Sequence, residues 1–452
     1  MKTKLVTAAA KSAETANTAP LGAQEFAVLI EGFAPFPSPL RIAVAVSGGP
    51  DSMALAFYAE RWLQMRNDGS ALLVLIVDHA LRPESAAEAS STRKALAKIG
   101  IEAEILSWQH PPVISRLHET ARKERYRLLC EACRRHGIRD LLLAHHREDQ
   151  AETILMRLAK GSGIDGLAGM KAQKIFEGVR ILRPLLTIAK ERLAATCAMS
   201  GLPFVSDPSN QSQKFARGRL RRVLPLLAEE GLTVERLQDL GARAAEAGAA
   251  LDHAAFALVR VATACDESGA IRFNLEHLRS APRATALRAL AICLGSLHRS
   301  DYLPEHAALT RLLDALLLDG VMPPRTLAGC LVSKNTTHIS MMREYAAITE
   351  ILPLPPGGSV IWDQRWRVSL SARAGDEYVI RPLGNPTYDV LDGLAPNLRR
   401  LIAQGRARAS LPALWFKEKL VLIPALPSAR NKAEAVAEPI LGWPPTRLPS
   451  TG

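Results

Sequence analysis

The sequence predicts an α/β fold: a parallel sheet with helices on its faces, followed by a helical domain and a small mixed α/β C-terminal domain. Three observations carry this prediction. Short apolar runs alternate with longer helical stretches between residues 40 and 200, the signature of βαβ units. Three of those runs end in polar clusters, at residues 47–52, at Asp78-His79 and at His145-His146. Ligands of parallel sheets gather beyond the carboxyl ends of the strands, so the three clusters point to one site. Beyond Pro225 the composition turns to Ala, Leu and Arg with helical spacing.

In order along the chain, residues 42–46 form the first strand and 51–61 the first helix. Residues 72–77 are a second buried strand. Helix 84–98 is stopped by Gly100, and strand 101–106 follows. A long basic helix over 118–136 closes at Gly137. Strand 140–144, helix 148–160, strand 179–182 and helix 188–200 complete the sheet domain. The expected domains are a loose N-terminal tail over 1–39, the catalytic domain over 40–225, a helical domain over 226–351 and a mixed domain over 359–452. The Pro- and Gly-rich stretch 352–358 reads as a linker.

A chain of 452 residues with 48% hydrophobic and 23% charged content is of globular type and long enough for several cores. The net charge of +12 fits an acidic partner, of which nucleic acid is the commonest. The six cysteines, Cys130, Cys133, Cys197, Cys265, Cys293 and Cys330, are scattered rather than arranged as a disulfide framework. That usage suits a reducing, cytoplasmic setting. No apolar run reaches the roughly 18 residues of a membrane span. Residues 1–20 lack the apolar stretch of a signal peptide.

The strand–Ser47-Gly48-Gly49-Pro50-Asp51-Ser52–helix arrangement is a phosphate cradle. Its glycines let backbone N–H groups approach an anion, and the helix N-terminus adds partial positive charge. Ser47 and Ser52 supply hydroxyls, and Pro50 suits the first helical position. A carboxylate such as Asp51 does not attract phosphate by itself, which implies Mg²⁺ between Asp51 and the nucleotide. The loop lacks the Gly-Lys-Ser/Thr ending of a Walker A motif. Asp149 and Glu152 share a helix face after the fourth strand, where a polar substrate pocket competes with simple complementation of the helix dipole. His145 and His146 are adjacent and point apart on a regular element, and no third ligand at zinc spacing accompanies them. Lys214, Arg217, Arg219, Arg221 and Arg222 form a basic run at the far end of the domain sequence. It reads either as a solvated helix face or as phosphate contacts, with Asp207 and Asn210 placed to orient the arginines.

The loop resembles the signature of the N-type ATP pyrophosphatases, the PP-loop superfamily, whose fold is of the adenine nucleotide α-hydrolase type. Four further segments resemble one of its families, the tRNA(Ile)-lysidine synthases. These are residues 77–85 with Asp78-His79; Ala121-Arg122-Lys123-Glu124-Arg125-Tyr126; Ala144-His145-His146-Arg147-Glu148-Asp149-Gln150-Ala151-Glu152-Thr153 with the glycines of 161–167; and Asp207-Pro208-Ser209-Asn210 leading into residues 215–221. They run in the family's order over residues 42–225. The resemblance implies a ligase that uses ATP and Mg²⁺ to adenylate the wobble cytidine of an isoleucine tRNA with a CAU anticodon. L-lysine then joins C2 of that base, and no membrane is involved. It implies Asp51, Asp149 and Arg217 as catalytic residues and residues 47–52, Asp78, His79 and His145 as nucleotide contacts, with Asp149 placing the lysine. A homodimer is compatible with it. Pro50 departs by lacking an N–H for phosphate. Two other readings compete: a tRNA thiolase, for which Cys130-Glu-Ala-Cys133 would need a further nearby cysteine, and an RNA-binding protein without chemistry. The two cysteines read better as small apolar packing residues.

Overall fold

The computed structural model of this chain describes residues 18–81, 84–109, 117–204, 216–266, 268–298, 304–374, 378–386, 405–425 and 435–439. The chain forms two compact units, Met1–Gly248 and Ala249–Gly452.

The first unit runs α1 (Ala23–Glu31), β1 (Arg41–Val46), α2 (Pro50–Arg66), β2 (Ala71–Asp78), α3 (Ser85–Ala97), β3 (Ala103–Ser107) and α4 (Leu117–Arg135). It continues with β4 (Asp140–Leu142), α5 (Arg147–Ala159), α6 (Ile164–Leu167), β5 (Gln173–Phe176), β6 (Val179–Leu182), α7 (Lys190–Met199) and α8 (Ala216–Glu229), and α9 (Val234–Ala262) follows. The six strands are ordered β3-β2-β1-β4-β6-β5. All neighbours are parallel except β5 and β6, which form an antiparallel edge.

The strand period of two divides the core. Ile42, Val44 and Val46 enter one apolar cluster with α1, α2, α3 and α7. Ala43 joins the opposite cluster, under α4. Helix α2 buries residues on all sides, from Met53 to Leu63, because strands cover one side and α1 and α7 the other. Cys130 and Cys133 lie in the α4 cluster, where burial pushes their thiols up to about 11 and about 12. Their surroundings are those of packing residues.

The expected loose tail over 1–39 does not hold for its described part. Leu21, Phe26 and Ile30 are buried in the main core, and the Phe26 ring stacks on Tyr58 at 5.6 Å between centroids. Arg192 of α7 donates to both Glu25 oxygens at 2.7 Å and to the Ala19 carbonyl at 2.9 Å. The Thr196 hydroxyl accepts the Leu21 N–H at 3.0 Å, and Tyr58 donates to the Leu21 carbonyl. Three apolar residues five and four apart carry no motif. Their meaning depends on a partner helix far along the chain.

The second unit departs from the expected helical domain. Helices α10 (Leu275–Ser280), α11 (Arg283–His298) and α12 (His306–Leu317) are joined by strands β7 (Thr263–Cys265), β8 (Ile271–Asn274), β9 (Met322–Leu327), β10 (Cys330–Lys334) and β11 (His338–Arg343). These strands form an antiparallel sheet in the order β7-β8-β11-β10-β9. Pro323 and Pro324 disguise β9 as a turn, yet β9 is an edge strand, where proline is tolerated. The presumed linker contributes β12 (Leu352–Leu354), another proline-bearing edge.

Then come β13 (Ser359–Trp362), β14 (Trp366–Leu370), β15 (Tyr378–Pro382), α13 (Gly405–Arg408), β16 (Pro412–Phe416), β17 (Lys419–Leu422) and β18 (Ala435–Pro439). They make a four-stranded sheet, β12-β15-β16-β17, and a three-stranded one, β13-β14-β18. Asp363, in the hairpin between β13 and β14, has a side chain only 8% exposed and receives Arg343 at 2.9 Å and Arg365 at 2.6 Å. Two guanidiniums on one carboxylate satisfy what burial would otherwise make costly.

The Arg192 clamp makes a prediction. Arg192→Ala should lower stability by about 1–3 kcal/mol, the cost of losing charge-assisted hydrogen bonds. Limited proteolysis should then cut first within residues 18–31. A variant whose N-terminal segment resists protease as well as the parent would show that the clamp contributes nothing.

Candidate nucleotide and substrate site

The site starts at the carboxyl end of β1. Gly48 has φ +85°, and a Cβ there would stand 2.5 Å from the Thr92 hydroxyl on α3. Both facts demand glycine. Gly49 caps α2 in an extended conformation, with Pro50 at the first helical position. The Ser52 hydroxyl accepts the Ser47 N–H at 3.1 Å and donates to the Gly49 carbonyl at 3.0 Å. The Ser47 and Ser52 hydroxyls are 3.3 Å apart. The loop is thus folded on its own side chains, at the amino end of a 17-residue helix whose dipole favours an anion.

Asp51 follows in the first turn of α2. Burial raises its pKa, while His146 and Lys190 act in the opposite sense. Its Oδ1 is shielded from solvent and has no hydrogen-bond partner among the described residues.

Strand β4 lies beside β1, with Ile42 opposite Asp140 and Val44 opposite Leu142. The segment leaving β4 therefore passes the phosphate loop. His146 is the N-cap of α5 and is buried. Its Nε2 lies 3.6 Å from Asp51 Oδ2 and 3.4 Å from Asp149 Oδ2. Its Nδ1 lies 3.0 Å from Glu148 Oε2. Burial works against the imidazolium, but the three carboxylates outweigh it and raise the His146 pKa. In return the His146 hydrogen bond holds Glu148 at about 2 against its own burial.

His145 has the opposite fate. Burial, and after it the Arg183 guanidinium, lower its pKa, so the ring is neutral. Its Nδ1 is shielded and has no partner among the described residues.

Helix α8 closes the other side. Arg221 Nε donates to Glu152 Oε1 at 2.5 Å, and its Nη2 lies 3.7 Å from Asp149 Oδ1. Arg217 Nε reaches Glu152 Oε2 at 4.0 Å. Glu152 is only 1% exposed, so these contacts compensate a buried charge. At the end of β2, Asp78 Oδ1 accepts the Ala80 N–H at 2.9 Å and the Ser85 hydroxyl. His79 Nε2 accepts from Arg125 Nε at 3.0 Å, which ties the second-strand cluster to the basic helix α4.

The expected residues therefore meet differently than their sequence suggests. Asp51 and Asp149 share one imidazole. The arginine group is not remote from Asp149: Arg221 contacts it, whereas Arg219 and Arg222 are exposed. Asp207, Asn210 and Lys214 lie outside the described residues. Sequence reasoning missed His146 as the hub, and with it Glu148, Lys190 and the pairing of Glu152 with Arg221. One signal was present: His146 with Asp149 three residues on has the spacing of a capping box, which turns the cap side chain back into the helix start.

A self-supported phosphate loop at the switch point of a parallel sheet defines a PP-loop ATP-binding domain, and the family model of the PP-loop domain matches residues 23–227. A protein of Methylobacterium nodulans named tRNA(Ile)-lysidine synthase is 41% identical over 326 residues, covering 71% of this chain and 94% of the relative. A second Methylobacterium relative of that name is 44% identical over 64% of this chain and 82% of its own length. One from Ruegeria pomeroyi is 33% identical over 85% of this chain and 88% of its own length. The chain belongs to the tRNA(Ile)-lysidine synthase family. No described helix is long and apolar enough to cross a membrane.

Gly48→Ala should weaken ATP binding at least about tenfold, because the left-handed backbone costs about 1–2 kcal/mol and the new methyl displaces Thr92. Calorimetry with ATP checks this. Binding within threefold of the parent would mean that the loop tolerates a side chain and is not a close phosphate cradle.

Proposed function

We propose that this chain joins L-lysine to C2 of the wobble cytidine in the isoleucine tRNA with a CAU anticodon, through an adenylated intermediate. In the first step the C2 oxygen attacks the α-phosphate of ATP and pyrophosphate leaves. In the second the lysine ε-amine attacks C2 and AMP leaves. The observation that carries this reading is the convergence of Asp51, from the phosphate loop, and Asp149, from the helix that follows the neighbouring strand, on His146. An acidic pocket for an ammonium thus adjoins a cradle for phosphate, which is what joining an amine to a phosphate-activated base requires. Membership of the family supports the same reading.

The residues then take these roles. Ser47, Gly48, Gly49, Pro50 and Ser52, with the α2 amino end, hold the departing pyrophosphate. Asp51 offers a hard oxygen for Mg²⁺, and its unpartnered Oδ1 fits that use. A single protein carboxylate completed by phosphate oxygens and water is a common way to hold this ion. Bound there, Mg²⁺ would neutralise charge building on the phosphates. Asp78, His79 and the neutral His145 line the nucleotide side. Asp149 pairs with the lysine ammonium and orients it towards C2. Arg217 faces phosphate, either of the adenylate or of the RNA backbone. The anticodon loop is single-stranded, so turning its cytidine into the pocket is cheap. The C-terminal domain over 359–452 is the further tRNA-binding element.

Incubation with total tRNA, labelled lysine and Mg·ATP should place label in tRNA. Pyrophosphate release without label would overturn the lysine assignment. Asp149→Asn should raise the KM for lysine at least about tenfold, as loss of a charged hydrogen bond does, with tRNA binding unchanged. Arg217→Ala should weaken adenylation or tRNA binding and leave the lysine KM nearly unmoved. The reverse pattern would exchange the two roles. Affinity for tRNA should also fall steeply as salt rises, since binding releases counterions. A flat salt dependence would remove phosphate contacts from the account.

A further inference from the structure

Glu148 has no role so far, yet it is the most connected carboxylate of the site. Its Oε2 lies 3.0 Å from His146 Nδ1 and accepts the Lys190 N–H at 2.9 Å, at the first turn of α7. Its Oε1 accepts Arg147 Nε at 3.1 Å. It thus ties together the start of α5, the start of α7 and the imidazole that touches both proposed catalytic carboxylates. Glu148 contacts neither Asp51 nor Asp149 by any described hydrogen bond or ion pair.

We propose that Glu148 is a positioning residue: it holds the His146 ring with Nε2 directed at Asp51 and Asp149, and thereby couples the phosphate side of the site to the lysine side. This rests on the functional reading above and deepens it.

The physical argument is one of competing acceptors. His146 Nδ1 has two neighbours, Glu148 Oε2 at 3.0 Å and the Asp149 N–H at 3.4 Å. With Glu148 present, Nδ1 is held by its carboxylate and Nε2 is turned towards the two aspartates. Without the carboxylate, Nδ1 becomes the acceptor of the Asp149 N–H, as in an ordinary N-cap. The ring is then free to turn about that single contact. Nε2 then no longer holds its place between Asp51 and Asp149.

A double-mutant cycle tests this, with Glu148→Gln, His146→Asn and the pair combined. Asparagine is a good N-cap, so the start of α5 survives loss of the ring. Thermal melts establish that each variant is folded. Mg·ATP affinity is measured by calorimetry, and pyrophosphate release and lysine KM by assay with tRNA. Each single variant should weaken Mg·ATP binding and raise the lysine KM about tenfold, and the double variant should be no worse than His146→Asn alone. Binding of tRNA should not move in any of them. A residue that merely braces α5 and α7 would give losses that multiply, and multiplying losses overturn the proposal. So does a Glu148→Gln variant within twofold of the parent on both sides. Should the parent transfer no lysine, the functional reading fails by itself, while Mg·ATP affinity across the cycle still decides whether Glu148 acts through His146.

Discussion

The arrangement of the site hangs on the pairing of β4 beside β1, only three residues long in register, from Ile42 against Asp140 to Val44 against Leu142. The chain builds β1, β2 and β3 outward in one direction, then crosses back to lay β4 on the free edge of β1. At such a reversal the connections leave neighbouring strands on opposite sides of the sheet and open a crevice between them. The phosphate loop leaves one strand and His146 leaves the other. A shift of β4 by one residue would turn His146 and Asp149 away from Asp51, because alternate residues face opposite sides. Asp140 at the start of β4 is fully buried and bonded to Arg180, whose guanidinium also donates to the Phe33 carbonyl at 2.9 Å. That pair pins the register from below.

The two adjacent histidines show how little of a residue's behaviour lies in its identity. His146 sits among Asp51, Glu148 and Asp149 and is driven towards its charged form. His145, one residue earlier, is half-buried, and desolvation with the nearby Arg183 guanidinium drives it towards its neutral form. Two imidazoles driven towards opposite charge states thus stand side by side after β4.

Much of the first unit could be read from the sequence, because buried parallel strands are apolar runs whose neighbours are punctuated by glycine. Runs over 42–46, 72–77 and 179–182 lie within or upon observed strands, and Gly100 and Gly137, both at positive φ, end their helices as expected. The second unit was harder. Its antiparallel strands are short, carry Pro323, Pro324 and Pro353 at edges, and follow alanine-rich helices that dominate any local pattern. At the site, Asp51, Asp149 and Arg217 stand in motifs and were visible. What joins them was not, since the choice between His145 and His146 is made by cap geometry, and the link from Glu152 to Arg221 spans 69 residues.

The clamp on residues 19–25 has a consequence for how the chain comes to be folded as it is made. Leu21 bonds to Thr196, 175 residues away, and Arg192 reaches back to Glu25 over 167. During vectorial synthesis residues 19–25 emerge long before Arg192 and Thr196 of α7 exist to hold them. Phe26 meets Tyr58 of α2 early, but the contacts with α7 wait until that helix is made. Such long-separation contacts close late and slowly. The side of the first unit that α7 covers is thus closed last, by contacts reaching back to residues made at the start of that unit.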